Sequence, residues 1–514
     1  MHIISLNFLV FFLATFSLFL IVPRGRWKRS VLFGGSLVFL LSYAAEGQEN
    51  FILQFAGIAV FIALGYISLF IVRKSRFFFW ASLAILGGVF LWMKQYAFLT
   101  LGLPAFTGAT IGLSYILFRI FQIIIDYCQG ALDQRPRLID FLQALIAFYT
   151  LPSGPIWRFD EHIKALNSLE KSPPIEPTEA YTLLSRLING LLKVSFISPL
   201  FIVFHEQLIE KTLPYVTVHG FFNLLARLED NAFLTTFFSL GLVQHCSWLF
   251  IICLACFCYF FYIYANFSGY MDIVICLGRL LGLNLPENFN HPLKSKDFLD
   301  LWSRWHITLS EWFKYYLFNP LLKVLIRHFG HLCRVEYLGC VAYFFVFFVM
   351  GLWHGATERF LWYGLALGSI AALTKLLTSY LSFHLGKKNM KRLNANLSYI
   401  GCMRATALLG LTYPLALWWM SDQLLKDLAG LNWFLLFLFG MFLLIIMQVV
   451  VHLAKKIYIL IQTPRKLILI YNFFPCKGKI FSYESITLSL KTFIFIAVQA
   501  ASTNTVPFFV YQGF

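Results

Sequence analysis

Long apolar segments separated by short polar or charged stretches follow one another along this chain. Residues 3–22 form the first segment, and a second covers about 30–45. Three more follow, at about 51–72, 77–99 and 103–125. A helix that crosses a bilayer needs about 20 mostly apolar residues. The pattern therefore predicts five membrane-spanning helices near the start of the chain. The first segment lacks the basic region and the small-residue cleavage site of a secretory signal, so we expect it to remain as a spanning helix.

Apolar segments of spanning length return after the middle of the chain. Clear candidates, followed by two less regular ones, lie at about 337–354, 359–382, 402–420, 432–454, 457–471 and 486–500. Including the central part of the chain, the pattern predicts ten to twelve membrane helices.

The middle of the chain is less regular. Between about 139 and 231, apolar stretches such as 141–151 and 194–204 are short or interrupted by proline and charged residues. Such lengths favour re-entrant or interfacial helices over full spans. After them, 232–264 predicts a full span and 271–285 a shorter buried helix.

Composition agrees with this pattern and defines the class of protein. The chain is 59% hydrophobic and 18% aromatic, and only 13% of its residues are charged. Soluble domains have about 25% charged residues. We therefore expect an all-α polytopic membrane protein, with residues 1–514 forming a single membrane domain.

The 41 basic and 24 acidic side chains make the chain cationic. The basic residues cluster in short loops such as 24–29, 73–76 and 386–392, while the loop at 45–50 is acidic. Basic loops favour the cytoplasmic side of a membrane, so we expect an extracytoplasmic N-terminus. This distribution argues against nucleic-acid binding, and a role in attracting a phosphorylated substrate stays open.

Motifs for common soluble enzymes and metal sites are absent from the sequence. No P-loop, dinucleotide fingerprint or G-x-S-x-G nucleophile motif occurs. Cys253 and Cys256 form a C-x-x-C pair, but they lie in a strongly apolar run without a second pair of ligands. We interpret these thiols as packing groups and expect no metal site.

Two histidines in Trp-His pairs are the strongest candidates for chemistry. His306 lies in LWSRWHITLSEWFKYYLFNPL (301–321), and His354 lies in GLWHGATERFLWYG (351–364). An ionisable side chain at membrane depth is costly unless it has a partner or a function. Neutral imidazole is well suited to accept a proton from a hydroxyl group. Composition alone leaves a functional role and a structural hydrogen-bonding role equally open for both residues.

Four motifs in order resemble one known family. SGPIWRF (153–159), LPENFNHP (285–292) and the two histidine segments are similar to the membrane-bound O-acyltransferase family, in particular to its bacterial branch that D-alanylates teichoic acids or O-acetylates alginate. The resemblance implies re-entrant helices around a central tunnel. It divides the chain into N-terminal helices (1–130), a catalytic core (131–384) and C-terminal helices outside the motifs (385–514).

The resemblance also implies roles for individual residues. His354 is expected to be the catalytic base, and His306 a positioning or stabilising group across the same tunnel. The side chains expected to bind substrate are Trp305, Trp353, Arg304, Ser310, Asn288 and Asn290. Three of these have open structural alternatives: Asn288 and Asn290 as turn caps, and Arg304 as the ion-pair partner of Glu311 or Asp300.

The implied activity is transfer of a small acyl group, acetyl or D-alanyl, to a hydroxyl of an envelope glycopolymer or lipid-linked sugar. The donor would be a cytoplasmic thioester, acetyl-CoA or the phosphopantetheine of an acyl carrier protein, and no cofactor would be tightly bound. Membrane lipid and an extracytoplasmic acyltransferase or esterase are further expected partners, in the bacterial inner membrane. FNPLLKVLIRHFG (318–330) lacks the glycine pair of alginate-type members, so the acyl group stays open.

One alternative from another class remains. The histidines could couple proton movement to the transport or flipping of a lipid-linked sugar. Transporters often contain internal repeats, and the two halves of this chain show no convincing similarity.

Overall fold

The structure is a computed structural model in which the described part is almost entirely helical. One isolated antiparallel bridge, Phe289 with Trp305, is the sole β-type pairing among the described residues. The residues that the structure describes are 5–22, 25–46, 51–96, 106, 112–151, 153–169, 176–212, 242–421, 440, 441, 444, 445, 448 and 492.

Of the N-terminal helices, the third and fourth pack against the fifth. In chain order they are α1 (Leu6–Ile21), α2 (Arg26–Glu46), α3 (Phe51–Ser68), α4 (Arg76–Lys94) and α5 (Leu113–Cys128). Most side chains of α5 are buried, so it lies inside the bundle.

The predicted limits of the fifth helix, 103–125, are wrong at their start. Gly112 precedes α5 with a left-handed φ of 63°, and a Cβ there would lie 2.9 Å from the backbone oxygen of Leu151. Glycine is the residue that takes this conformation without steric cost, so the helix begins immediately after it.

The described residues of the next part of the chain form five helices: α6 (Leu138–Ile146), α7 (Phe159–Ser168), α8 (Pro177–Leu192), α9 (Ser198–Glu206) and α10 (Leu242–Leu280). The expectation of a short re-entrant helix at 194–204 is wrong. Residues Thr178–Glu210 form one helical segment that is long and apolar enough to cross a membrane. A π-helical turn, Lys193–Ile197, immediately precedes Pro199 and accommodates its missing N–H group.

The expectation of two separate elements at 232–264 and 271–285 is also wrong. The described residues of this region form the single helix α10, 39 residues long, which ends at Leu280. Polar residues near its end, such as Asp272, are paired across to α8, so they do not interrupt it: Lys193 Nζ lies 2.7 Å from the Asp272 carboxylate. Residues 232–241 lie outside the described part.

The remaining helices carry the two histidine segments. They are α11 (Phe298–Trp302), α12 (Ile307–Phe313), α13 (Asn319–Phe329), α14 (Val335–His354), α15 (Glu358–Leu393) and α16 (Leu397–Thr412). α11 and α12 are too short to cross a membrane, which agrees with the prediction that the His306 segment is not a lipid-facing span. α15 bends at Gly386, whose φ is 69°.

The chain is a multi-pass membrane protein of the all-α class. Among the described residues, six helical segments are long and apolar enough to span a bilayer: Arg76–Lys94, Thr178–Glu210, Phe250–Leu280, Val335–His354, Glu358–Leu393 and Leu397–Trp418. Two shorter apolar helices cover Asn7–Ile21 and Ala56–Ser68. The total of ten to twelve stays a prediction, because the candidates at 432–454, 457–471 and 486–500 lie almost wholly outside the described residues.

Helices α14 and α15 pack with their backbones in contact. A Cβ atom built on Gly351 would lie 2.1 Å from the Cα of Gly364, and one on Gly368 would lie 2.6 Å from the carbonyl oxygen of Phe344. Glycine at these positions lets the two backbones touch, because small residues four positions apart on one helix allow close helix contact. The contact holds the end of α14, which carries His354, against the start of α15.

The basic loops meet at one end of the bundle. Arg29 contacts the Asp140 carboxylate and the Gln143 side chain on α6. Arg73 donates to the carbonyl oxygens of Tyr127 and Leu132 after α5, at 2.8 and 2.7 Å. The loops before α2 and α4 and the segment after α5 therefore lie on the same side, as the alternation of loop charge predicts.

We expect Gly351→Ala to destabilise the protein, because its methyl group would meet backbone atoms of Gly364 that cannot move aside. Overpacking of this kind costs about 1–3 kcal/mol or more. Thermal unfolding of the purified protein in detergent measures the effect. Gly88→Ala in α4 is the matched control, since nothing lies within 4 Å of a Cβ there. Equal unfolding temperatures for the two variants would contradict the proposed packing.

Asp140 predicts a pH dependence of stability. Burial raises the pKa of its carboxyl group, but hydrogen bonds and charges from Arg137 and Arg29 outweigh burial and hold the pKa below its usual range. A depressed carboxyl pKa contributes stability above the unfolded pKa, near pH 4, that is lost as pH falls through the folded value.

Asp140→Asn should therefore lower the unfolding temperature at pH 7, and the difference from wild type should shrink below about pH 4. Asp160→Asn is the control, because Asp160 is more exposed and its ion pair with Lys164 is longer, 3.5 Å. A difference that stays constant from pH 7 to pH 3 would contradict this assignment.

Candidate functional site

His306 occupies a strained position between α11 and α12. Its backbone is left-handed, with φ 45° and ψ 53°, and its side chain is buried. Non-glycine residues with positive φ are uncommon and need support from their surroundings. Two backbone hydrogen bonds supply it: the Asn290 N–H donates to the Arg304 carbonyl at 2.9 Å, and the Ile307 N–H donates to the Asn288 carbonyl at 3.0 Å. The LPENFNHP turn therefore holds the His306 segment in shape.

The carboxamide of Asn288 is the polar centre of this region. Its side chain is fully buried, and Oδ1 accepts from the Thr308 N–H at 3.0 Å and from the Thr308 hydroxyl at 2.9 Å. His306 Nδ1 lies 3.3 Å from the same oxygen. Because a backbone N–H can only donate, the atom it meets is the amide oxygen, and His306 must donate through Nδ1. The neutral imidazole consequently carries its lone pair on Nε2.

Thr308 connects this centre to a third motif. Its hydroxyl oxygen accepts from the Ile156 N–H at 3.0 Å while donating to Asn288. Ile156 belongs to SGPIWRF, so three segments far apart in the chain converge on one hydroxyl group. Buried polar groups that satisfy one another in this way define a unique arrangement.

His354 is the last residue of α14. It is buried, and its ring centroid lies 4.8 Å from that of Trp353, 5.6 Å from that of Tyr363 and 5.1 Å from that of Trp418. The Tyr96 hydroxyl donates to the Leu352 carbonyl at 3.0 Å and so satisfies one of the carbonyl groups at the end of this helix. The imidazole is thus held inside the protein and does not face lipid.

The two histidine segments pack against one common residue. Phe118 of α5 connects them, with its ring centroid 4.4 Å from that of Trp312 and 5.1 Å from that of Trp353. Trp312 Nε1 also donates to the Phe118 carbonyl at 3.0 Å. An open passage to this site from either side of the membrane stays a prediction.

The structure places the expected substrate-binding residues differently from one another. Trp353 lies beside His354, and Asn288 beside His306. The Trp305 ring instead packs on α10, 5.6 Å from the ring of Phe260. It therefore packs the His306 segment against α10.

Three further candidates make local structural contacts. Arg304 forms an ion pair with Asp300 at 3.0 Å, which answers the open choice between Asp300 and Glu311. The Ser310 hydroxyl donates to the Trp305 carbonyl at 3.2 Å. Asn290 is exposed, and its contact with the His306 segment is through its backbone. A direct role in binding substrate stays a prediction for each of them.

Sequence reasoning missed two contributors to the site. Arg119 is buried in α5 and donates to the carbonyl oxygens of Ala144, Leu145 and Thr150 at 3.1, 2.9 and 3.0 Å. It thereby fixes the turn that leads into SGPIWRF. A lone arginine inside an apolar run was the available signal. Trp418, which packs on His354, lies outside every motif, and no signal in the sequence identifies it.

The cysteines form no metal centre in the part of the chain that the structure describes. Cys253 and Cys256 are buried in α10, and Cys253 Sγ lies 3.1 Å from the Tyr413 hydroxyl. Across the described residues, no group of three or more His, Cys, Asp or Glu side chains could hold a metal ion.

We expect Thr308→Val to destabilise the protein by roughly 1–3 kcal/mol, because it removes the hydroxyl and leaves the buried Ile156 N–H unsatisfied. Thermal unfolding in detergent measures the cost. Thr182→Val is the matched control, because the Thr182 hydroxyl bonds to the Glu179 carbonyl on the exposed side of α8. A cost for Thr308→Val no larger than the control would show that the hydroxyl does not join the three motifs.

Comparison with known proteins places this arrangement in context. No family model matches the chain. The chain is 27% identical over 287 residues to the teichoic acid D-alanyltransferase of Bacillus subtilis, covering 56% of this chain and 62% of that protein. It is 29% identical over 259 residues to the Streptococcus thermophilus teichoic acid D-alanyltransferase, covering 50% and 54%.

A second group of relatives is named for a different activity. The probable alginate O-acetylase of Azotobacter vinelandii is 28% identical over 274 residues, covering 52% of this chain and 44% of that protein. The match thus spans about half the length of these relatives. It confirms the resemblance of the chain to the membrane-bound O-acyltransferase family, in the branch of the teichoic acid D-alanyltransferases and alginate O-acetylases.

Proposed function

We propose that this protein is an O-acyltransferase of the bacterial cytoplasmic membrane. It transfers a small acyl group, acetyl or D-alanyl, from a cytoplasmic thioester to a hydroxyl of an extracytoplasmic envelope glycopolymer or lipid-linked sugar. The names of the relatives describe transfer of D-alanyl groups for one set and of acetyl groups for the other. Both activities share the chemistry of acyl transfer to an oxygen atom.

The convergence of His306 and His354 carries this proposal. They come from two separate motifs, both are buried, and Phe118 of α5 packs against a tryptophan of each motif. Burying two imidazoles together is costly for packing alone. A reaction that needs proton transfer away from water gives a reason for the arrangement.

His354 acts as the general base in this mechanism. It takes the proton from the acceptor hydroxyl as the oxygen attacks the thioester carbonyl carbon. Collapse of the tetrahedral intermediate breaks the carbon–sulfur bond, and the proton leaves with the thiolate as a thiol. The products are an ester and a free thiol, so no cofactor or metal is needed to balance the reaction.

His306 orients the acceptor in the same mechanism. Its Nδ1 is committed to Asn288, so its Nε2 can accept a hydrogen bond but cannot donate one while the ring is neutral. A ring nitrogen that only accepts can bind the hydroxyl group of the acceptor substrate, which donates. It cannot stabilise the developing oxyanion, which needs a donor. Asn288 is accordingly a positioning residue that fixes the tautomer of His306.

The ends of the bundle suggest where each substrate enters. The loops with Arg29 and Arg73 lie at one end, which the positive-inside rule assigns to the cytoplasm. The N-terminus then lies on the extracytoplasmic side. The thioester, carried by coenzyme A or by an acyl carrier protein, approaches from the basic end, and the glycopolymer approaches from the other. An extracytoplasmic acyltransferase or esterase that completes delivery is a further proposed partner.

We expect His354→Ala to lower acyl transfer by about 10²- to 10⁴-fold, the usual contribution of a general base. Proteoliposomes with labelled acetyl-CoA or D-alanyl carrier protein, plus the acceptor, provide the assay. His328→Ala, at an exposed position of α13, is the matched control and should keep wild-type activity.

A correctly folded His354→Ala protein with normal transfer would refute the proposal. Movement of a lipid-linked sugar without thioester consumption would instead favour the transporter.

A further inference from the structure

A large polar cavity lies away from the two histidines, at the start of α14. It has a volume of about 830 Å³. Its walls are the first turn of α14, the last turns of α15 around the Gly386 bend, the start of α16 and the turn before α11. Three of its four walls are therefore helix ends, where side chains from different helices converge.

The cavity is cationic. Four basic side chains line it, Lys296, Arg334, Lys375 and Lys387, against two acidic ones, Asp297 and Glu336. The Arg334–Glu336 pair is long, 3.9 Å, and both side chains are about half exposed, 53% and 50%. A pair this long and exposed is weak, so the guanidinium keeps donors for a ligand.

Aromatic side chains give the cavity an amphipathic character. The Arg334 guanidinium lies 4.4 Å from the ring centroid of Phe383, and Tyr337, Tyr380 and Tyr399 also line the walls. Stacking on an aromatic ring pre-orders the planar guanidinium, which favours recognition of an oxyanion such as phosphate. The ligand would combine an anionic group with an apolar portion.

Lys375 gives an independent reason to expect a ligand. It lies within the apolar membrane-spanning segment Glu358–Leu393 and is partly buried, with its side chain running beside Gly339 of α14. Placing an ammonium group inside a spanning segment is costly, and such residues mark functional sites by default. The cavity gives water or an anionic ligand access to this ammonium group, which explains why the charge is tolerated there.

The cavity lies at the basic end of the bundle. The Tyr316 hydroxyl bonds to the Asp126 carboxylate near the end of α5 at 2.9 Å, and the rings of Phe318 and Tyr343 meet at 4.5 Å. These contacts place the start of α14 on the same side as the loops containing Arg29 and Arg73. Anionic lipid headgroups and phosphorylated cytoplasmic ligands are both found at such a surface.

The turn before α11 connects the cavity to the site. The Asp297 carboxylate accepts from the Asp300 N–H at 2.8 Å and so caps α11, which leads into the His306 segment. Arg404 of α16 donates to the Ser295 carbonyl at 2.8 Å and anchors the same turn. A ligand on Lys296 would therefore contact the element that precedes His306.

We propose that this cavity binds the phosphate group of an amphipathic ligand, with Arg334 and Lys375 as its principal contacts. The phosphate comes from one of two sources: the headgroup of an anionic lipid, or the phosphorylated pantetheine of the thioester donor. The donor source rests on the proposed function, whereas the lipid source does not.

The test uses the full-length protein in nanodiscs. In the first arm, native mass spectrometry follows phosphatidylglycerol retained from mixed phosphatidylglycerol and phosphatidylcholine discs. In the second arm, titration calorimetry follows coenzyme A binding in discs of phosphatidylcholine alone. One double variant is Arg334→Gln/Lys375→Gln. The other is Lys296→Gln/Lys387→Gln, and because Lys296 and Lys387 are exposed, this second variant should fold normally. Lys164→Gln, on the exposed side of α7, is the control.

We expect the Arg334→Gln/Lys375→Gln protein to lose about tenfold or more of its affinity in one arm, which corresponds to about 1.4 kcal/mol or more. The Lys296→Gln/Lys387→Gln protein should show a smaller loss in the same arm, and the control none. Loss in the first arm identifies lipid as the source, and loss in the second identifies the donor.

Two results would overturn the proposal. In the first, the wild-type protein binds neither phosphatidylglycerol nor coenzyme A. In the second, the wild-type protein and both double variants bind the ligand equally. Failure of acyl transfer by the wild-type protein would count against the proposed function and leave this site standing, because neither arm requires turnover.

Discussion

The buried carboxamide of Asn288 is the interaction on which the site depends. One oxygen atom receives the backbone N–H and hydroxyl of Thr308 and the Nδ1 of His306. An unsatisfied polar group at this depth would cost several kcal/mol. This cost makes the arrangement nearly all-or-none, because removing any one partner leaves other buried polar groups without a hydrogen bond. The tautomer of His306 and the approach of SGPIWRF are therefore properties of the same hydrogen-bonded unit.

Helix packing supplies the second half of the site. The α14–α15 contact through Gly351 and Gly364 places His354, and Phe118 of α5 joins its segment to α12. In lipid, helices gain little from the hydrophobic effect between them, so close backbone contact and hydrogen bonds must hold them together. Here the hydrogen bonds concentrate around His306 and the close packing around His354. Each histidine is thus held by a different kind of force.

Long, uniform apolar runs were predictable from the sequence, and broken ones were not. The spans at Arg76–Lys94 and Val335–His354 were predicted within a few residues. Segment 194–204 was misassigned because Pro199 normally ends a helix, and a π-helical turn that absorbs it has no sequence signature. Segment 271–285 was misassigned as a separate element, and it continues the same helix although an unpaired carboxylate such as that of Asp272 is costly inside an apolar helix. Its partner Lys193, far away in sequence, removes that cost.

The site shows the same division. The Trp-His pairs identified both histidines, since ionisable residues in apolar surroundings stand out. Arg304 and Trp305 sit in the same motif, yet they serve the turn and α10, because a motif records which residues are needed and not which way each points. The contribution of Trp418 depends on the turn after α16, Pro414–Trp418, packing on the end of α14, which only the three-dimensional structure reveals.

The glycine contact between α14 and α15 restricts how the protein can move. Two backbones in van der Waals contact have no soft side chains between them to deform, so neither helix can slide or rock without opening a gap in the seam. Large rigid-body exchange of the kind that carriers use would have to occur elsewhere in the molecule. Access to the buried imidazole of His354 then depends on side-chain rotation. The aromatic rings that pack on it, and would have to rotate, are those of Trp353, Tyr363 and Trp418.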